Sequence, residues 1–264
     1  MKSNKYLGQN FLTSKKIIEE IIKTADIEPN DVVLEVGPGK GILTEALVKK
    51  VHPVRNGISN GTGKVIAVEK DKRMVEFLQE KFKNNKNLKI IHGDILKITR
   101  YPLPVTRYKI VANIPYYITS RFLRIFLQTD FQPYLMVLMI QKEVAERIIA
   151  KNSKESILSI SVKVYGRPKI IKIVPAKYFH PKPKVDSTVL LIDNISKKFF
   201  ANISEKKFFE LVKKGFSSKR KFLKNNLGLS NTECLIRCGI PKKARAEDLF
   251  PENWKCLFNY LKNY

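Results

Sequence analysis

Short apolar runs alternate with helix-like patterns along the first two-thirds of this chain, and that alternation limits its fold more than any other feature. Asp31 to Val36, Lys64 to Val68, Leu88 to His92, Ile110 to Ala112 and Tyr134 to Ile140 are short, apolar and non-periodic, as expected of strands buried on both faces. Helical patterns cover Ile42 to Val51, Thr119 to Gln128 and Gln141 to Ala150. Ahead of them, Ser14 is a good N-cap for a helix that puts Ile17, Ile18, Ile21, Ile22 and Ala25 on one face. Two β-rich segments, Lys169 to Val174 and Thr188 to Ile192, close the series. Such alternation predicts an α/β domain around a mostly parallel, doubly wound sheet.

From about residue 195 the pattern turns helical, which divides the chain into domains 1–194 and 195–264. The last helix follows Pro251 and spaces Trp254, Leu257, Phe258 and Leu261 as a core face rather than a base-stacking array. Residues 195–264 hold 16 Lys and Arg against six Asp and Glu, with cations clustered between Lys213 and Lys221. Over all 264 residues the balance is 50 to 24, a net charge of +26. An excess of that size calls for a polyanionic partner, and nucleic acid is favoured over an anionic membrane. A lysine-rich proteome would supply part of it without function. No apolar run approaches membrane-spanning length. Cys234, Cys238 and Cys256 are too few and too unevenly placed for a disulfide framework, which suggests a reducing compartment. Cys234 and Cys238 read as core residues, and the protein is expected to be soluble, cytoplasmic and monomeric. No set of His and Cys completes a metal site.

The chemistry gathers where the strands end, which is where open α/β sheets bind ligands. The first strand runs into Glu35-Val-Gly37-Pro-Gly39-Lys-Gly41, where glycines allow close backbone approach. Its G-x-G-x-G spacing is not the dinucleotide fingerprint and lacks a Walker lysine followed by Ser or Thr. It suits a ligand without a pyrophosphate, such as a nucleoside carrying an amino-acid tail. Glu69 ends the second strand, where a carboxylate can accept both ribose hydroxyls. Asp94 ends the third and can accept from an adenine amine. Either acid alone is also an ordinary solvated strand end. Asn113-Ile-Pro-Tyr116 ends the fourth: an amide to accept from an exocyclic amine, and a ring to stack on a base. Taken alone, Asn-x-Pro is equally a common way to leave a strand. Phe179-His-Pro-Lys182-Pro-Lys184-Val-Asp-Ser187 reads as a proline-stiffened loop with a leading aromatic and two lysines.

In this order the segments Gly8-Gln-Asn-Phe-Leu12, Glu35-Val-Gly-Pro-Gly39, Val68-Glu69, Gly93-Asp94, Asn113-Ile-Pro-Tyr116, Gln141-Lys-Glu143 and Phe179 to Ser187 resemble the KsgA-type ribosomal RNA adenine dimethyltransferases. Phe216-Ser-x-x-Arg-Lys and Arg245-Ala-Glu-Asp-Leu extend the resemblance nearly end to end. It implies a Rossmann-like class I methyltransferase sheet with a small C-terminal helical domain. It also implies S-adenosylmethionine as donor, with no metal. Asn10, Leu12 and Gly37 would line the donor's amino-acid end, Glu69 its ribose and Asp94 its adenine, with Asn113 beside the methyl. Asn113, Ile114, Pro115, Tyr116 and Phe179 would handle the target base, and Lys182, Lys184, Lys219, Arg220 and Lys221 the RNA. The implied substrate is a pair of adjacent adenosines in a hairpin loop near the 3′ end of small-subunit ribosomal RNA, each dimethylated within an immature subunit.

Three alternatives stand beside this. A related family dimethylates one adenosine of large-subunit RNA and confers antibiotic resistance, but Lys184-Val-Asp-Ser187 and the C-terminal domain favour the small-subunit type. DNA adenine methyltransferases usually carry aspartate where Asn113 stands. A mainly non-catalytic assembly or RNA-binding factor fits poorly with intact Glu69, Asp94 and Asn113. The chain departs from the family pattern in a longer His52–Gly63 loop, which contains Arg55. It also departs at Tyr117 and Thr119-Ser120, expected to affect packing more than chemistry.

Overall fold

The computed structural model describes residues 8–51, 63–97 and 107–262. All of the expected long loop except Gly63, Arg55 included, lies outside them. Nine strands lie among the described residues: β1 (Phe11–Leu12), β2 (Val32–Val36), β3 (Lys64–Glu69), β4 (Leu88–His92), β5 (Lys109–Asn113), β6 (Leu135–Gln141), β7 (Arg167–Val174), β8 (Phe179–His180) and β9 (Ser187–Asp193). Seven make one sheet in the order β4-β3-β2-β5-β6-β9-β7. The first five of that order pair in parallel, and β9 runs antiparallel between β6 and β7. β1 and β8 form a separate antiparallel pair, too short to leave a sequence pattern.

The helices are α1 (Lys15–Ala25), α2 (Ile42–Lys50), α3 (Lys72–Lys81), α4 (Thr119–Gln128), α5 (Lys142–Ile149), α6 (Ile157–Lys163), α7 (Glu205–Gly215), α8 (Leu223–Leu227), α9 (Glu233–Arg237) and α10 (Pro251–Lys262). The isoleucine face of α1 is buried against Val33, Val65, Val111 and Val137 of the sheet, joined by Leu43 and Leu47 of α2. Ser14 does occupy the cap position of α1, but its side chain bonds no helix N–H. No helix among the described residues is long and apolar enough to cross a membrane.

Strand order reverses direction between β2 and β5, which creates the crevice expected of such sheets at their carboxyl ends. At the amino ends the polar groups pair with one another instead. Lys109, 4% exposed, lies 2.8 Å from Asp31 Oδ2 and also donates to the Asp26 carbonyl. The Tyr134 hydroxyl donates to Asp31 Oδ1 at 3.2 Å. Burial alone would lower the Lys109 pKa, but Asp31 and Tyr134 more than offset it and the net direction is up.

By contacts the chain forms two compact units. The first holds the described residues of Met1–Ala145 together with Arg167–Ile195, and the second holds Glu146–Gly166 with those of Ser196–Tyr264. In the second, α6 begins in a capping box between Ser156 and Ser159 and leads to Tyr165, whose ring packs on Phe200 and Phe209. Trp254 of α10 is fully buried beneath Gly215, where an added Cβ would come within 2.3 Å of the indole. One sequence expectation is corrected here. Cys238 and Cys256 are not free core thiols but form a disulfide across 5.7 Å between Cα atoms, 18 residues apart, so only Cys234 stays free and buried. The cysteine count therefore no longer speaks for a reducing compartment.

Candidate active site

Sheet register sets the site. Val36 lies opposite both Val68 and Ala112, so the residues that follow, Gly37, Glu69 and Asn113, are neighbours along the carboxyl edge. Glu69 in turn lies opposite His92, which brings Gly93 and Asp94 into the same row. One cavity opens over that row. Asn10, Leu12, Gly37, Glu69, Asp94, Asn113, Ile114, Pro115 and Tyr116 all line it. Phe179 does not: it is 4% exposed, paired in β8 with Leu12, and belongs to the hydrophobic core. Lys182 and Lys184 are exposed in the loop before β9, and Lys219, Arg220 and Lys221 are exposed beyond the end of α7.

The glycine loop is shaped by steric need. Gly39 has φ of +56°, and a Cβ there would come within 2.7 Å of the Phe11 ring. That ring, brought over the loop by the β1–β8 pair, leaves room for a backbone and nothing larger. Glu69 ties the loop to β3. Its Oε2 accepts from the Gly39 N–H at 3.0 Å, and its Oε1 from Lys70 and Asp71 N–H at 2.8 and 2.9 Å. Burial raises the Glu69 pKa while those three donors oppose the rise. Asp94 goes the other way. Burial alone would raise it, but the Lys70 ammonium at 2.9 Å and the Leu96 N–H at 3.0 Å prevail and hold the carboxyl below its ordinary range.

At the end of β5 the Asn113 Nδ2 donates to the Asn10 carbonyl at 3.0 Å. This fixes the amide plane and turns its oxygen, an acceptor only, the other way. The chain then bends through Pro115 into a short 3₁₀ turn, Tyr116–Ile118. The Pro115 carbonyl is taken by the Ile118 N–H and the Tyr116 carbonyl by the Thr119 hydroxyl. Tyr116 is half-buried, and its hydroxyl shares a 2.8 Å hydrogen bond with Ser187 Oγ. Tyr117 is 61% exposed at the cavity and packs on Gly8.

Among the lining residues given no role from sequence, Glu35 differs from the rest. Glu35 is 1% exposed, and neither carboxylate oxygen has a hydrogen-bond partner among the described residues. Burial pushes its carboxyl up to about 8; the polar neighbour Thr44 offsets part of this and the Glu69 charge adds to it. A signal was available: Glu35 is the one charged residue in a central strand whose five residues are all buried.

Residues 1–263 match the family model described as ribosomal RNA adenine dimethylase. A ribosomal RNA small subunit methyltransferase A from Dehalococcoides mccartyi is 42% identical over 97% of this chain and 88% of its own. The protein of the same name from Halothermothrix orenii is 36% identical over 99% and 89%. Among solved structures, a dimethyladenosine transferase from Plasmodium falciparum superposes with a TM-score of 0.81 at 25% identity, covering 96% of this chain and 98% of that one. The 23S rRNA methyltransferase ErmE superposes at 0.77 and 25%, covering 96% and 100%.

Proposed function

This chain belongs to the ribosomal RNA adenine dimethylase family, and from that premise we propose that it dimethylates N6 of two adjacent adenosines in a hairpin loop near the 3′ end of small-subunit ribosomal RNA. The observation that carries this reading is the row Asp94, Glu69, Gly37, Asn113 along one sheet edge, ending in an amide whose nitrogen is already tethered. The small-subunit target is favoured by the names of relatives at 36–42% identity.

The cavity fits S-adenosylmethionine. Two acids and an amide stand in line for an adenosine, the glycine loop at Gly39 packs under Phe11 without a side chain, and the Glu35 carboxyl, without a partner among the described residues, adds polarity inside the wall. Asn10, Leu12 and Gly37 would hold its amino-acid end, Glu69 the ribose and Asp94 the adenine amine. When bound, that group supplies a methyl already activated on a sulfonium sulfur.

The chain's own task is to orient the acceptor. The exocyclic amine of adenine is a poor nucleophile because its lone pair is delocalised into the ring. Asn113 Oδ1 and the Ile114 carbonyl accept its two protons, which turns the lone pair out of the ring plane. Pro115 sets the bend that brings both acceptors to one side. Tyr116 stacks on the flipped base, worth roughly 1–3 kcal/mol on comparable platforms. Such positioning supplies about 7–11 kcal/mol in favourable cases. As the N–C bond forms and the S–C bond breaks, the amine carries a positive charge, and its proton leaves to solvent after the transfer, so no strong general base is required. Phe179 acts from beneath, holding Leu12 in place through strand pairing rather than touching the base. An unpaired loop lowers the cost of extracting the adenosines. Lys182, Lys184, Lys219, Arg220 and Lys221 contact phosphates, which position the RNA without reading its sequence. The protein acts as a monomer on an immature subunit.

Tritiated methyl transfer tests the reading. Label should enter immature small subunits at two adjacent adenosines and not large-subunit RNA. The reverse pattern would select the large-subunit reaction, and no label on either would leave an RNA-binding factor.

A further inference from the structure

We propose that Ser187 is a positioning residue for methyl transfer, its hydroxyl holding the Tyr116 phenol so that the ring face meets the target base at a fixed place. The inference rests on the reading that Tyr116 stacks on that base.

The bond joins two motifs that lie far apart in sequence. Tyr116 Oη and Ser187 Oγ are 2.8 Å apart, and Ser187 is fully buried. Ser187 sits in the strand between β6 and β7, opposite Gln141 on one side and Val174 on the other. Its neighbour Asp186 adds two further ties: the carbonyl accepts from the Lys142 N–H at 3.0 Å and the carboxylate from the Ala176 N–H at 2.9 Å. The hydroxyl is therefore mounted on backbone that is fixed in several directions. Tyr116, by contrast, hangs from a three-residue turn, with only its carbonyl held locally by Thr119.

The geometry says which motion the bond stops. A phenol oxygen lies on the long axis of its ring, so the bond leaves ring flips free, and a flip presents an equivalent face in the same place. What it resists is the swing about χ1 between staggered rotamers, which would carry the whole ring along the cavity wall. A swing of that kind displaces a stacked base, and misplacement by about 1 Å can cost a hundredfold in rate. Ser187 thus gives the end of the Phe179–Ser187 loop a task in the reaction that needs no contact with RNA.

A double-mutant cycle on the full-length protein decides it, with immature small subunits as substrate. Ser187→Ala and Tyr116→Phe each remove one hydroxyl and keep the fold-filling atoms. We expect each to lower kcat by about tenfold, with KM for the subunit and donor affinity within about twofold. The double variant should be no slower than either single, because both remove the same bond. Multiplicative losses would overturn the proposal. So would wild-type kcat in both singles, or a fall in Tm with unchanged kcat in the folded fraction, which would assign the bond to the fold alone. Tyr116→Ala separates the two readings. Full activity in that variant removes the stacking reading and this one with it. A collapse in Tyr116→Ala beside a wild-type Tyr116→Phe keeps stacking and rejects the role of Ser187.

Discussion

The two ends of one sheet treat their polar groups in opposite ways. At the amino ends, Lys109, Asp31, Tyr134 and the Asp26 carbonyl satisfy one another. At the carboxyl ends, the Asn113 amide uses its nitrogen on Asn10 and points its oxygen elsewhere, while Glu35 is buried with neither oxygen partnered. The strands are the same; what differs is which loops follow. The amino edge is closed by charges within reach of each other. The carboxyl edge is capped by glycines and a proline turn. There Glu69 and Asp94 are held by backbone N–H groups and Lys70, while the Asn113 oxygen points away from its tether and Glu35 has no partner among the described residues. One end spends its polar groups on one another, and the other keeps part of its polar set in reserve for a ligand.

That contrast can be broken at either end. Asn113→Ala should reduce kcat by roughly 10²–10³-fold, the scale for losing one oriented polar group in a reaction centre. Thermal stability should barely change; a large drop in Tm would mean that the amide serves the fold. Asp31→Ala should do the reverse. It strands a buried ammonium and should cost about 3–5 kcal/mol in denaturant unfolding, with kcat of the folded fraction preserved. If the loss stays below about 1 kcal/mol, the amino edge is no more than an exposed ion pair.

Glu35→Gln sharpens the comparison through pH. The folded protein keeps the Glu35 proton up to about 8, whereas a free carboxyl releases it near 4.5. Over that window the unfolded chain binds fewer protons, so wild-type stability falls as pH rises and levels off above about 8. The Gln variant should lose this slope and gain roughly 3 kcal/mol relative to wild type between pH 5 and pH 8. Parallel stability profiles for the two proteins would show that the carboxyl finds a partner. The smallest effect on the fold should come from reversing Lys219, Arg220 and Lys221 to Glu. Stability should change by less than about 0.5 kcal/mol, while the salt dependence of RNA affinity should flatten by nearly one logarithmic unit per lost phosphate contact. An unchanged slope would place the RNA elsewhere.

Much of this was legible in the residues themselves. Thr119–Gln128 follows the bounds set by its apolar pattern, since an amphipathic helix writes a strong local signal. Leu88–His92 keeps its bounds too, but it is an edge strand of half-buried and exposed residues rather than one buried on both faces. That Asn113, Glu69 and Asp94 would share one edge was legible because Asn113 and Glu69 directly follow apolar runs and Asp94 lies one glycine beyond a third, and the sheet register brings them together. Three features were not. The β1–β8 pair consists of two residues on each side, too few to show a period. Residues 146–166 pack with the C-terminal helices, a matter of contact through space that linear composition does not carry. The Cys238–Cys256 bond joins two cysteines in a chain with no framework of them, so counting argued against it. Phe179 shows the same limit from another side. An aromatic heading a motif looks like a ring for a base, yet its strand partner Leu12 draws it into the core.

The strand that carries Phe11 and Leu12 finds its partner very late. Thr13, just beyond it, bonds the Tyr178 carbonyl 165 residues downstream. At typical translation speeds that interval lasts roughly 10–30 s, during which the nascent chain has its glycine loop but no roof above it. The roof that Phe11 makes over Gly39 is thus completed only once synthesis has passed residue 180, and a truncated polypeptide released earlier would lack the strand partner that holds it there.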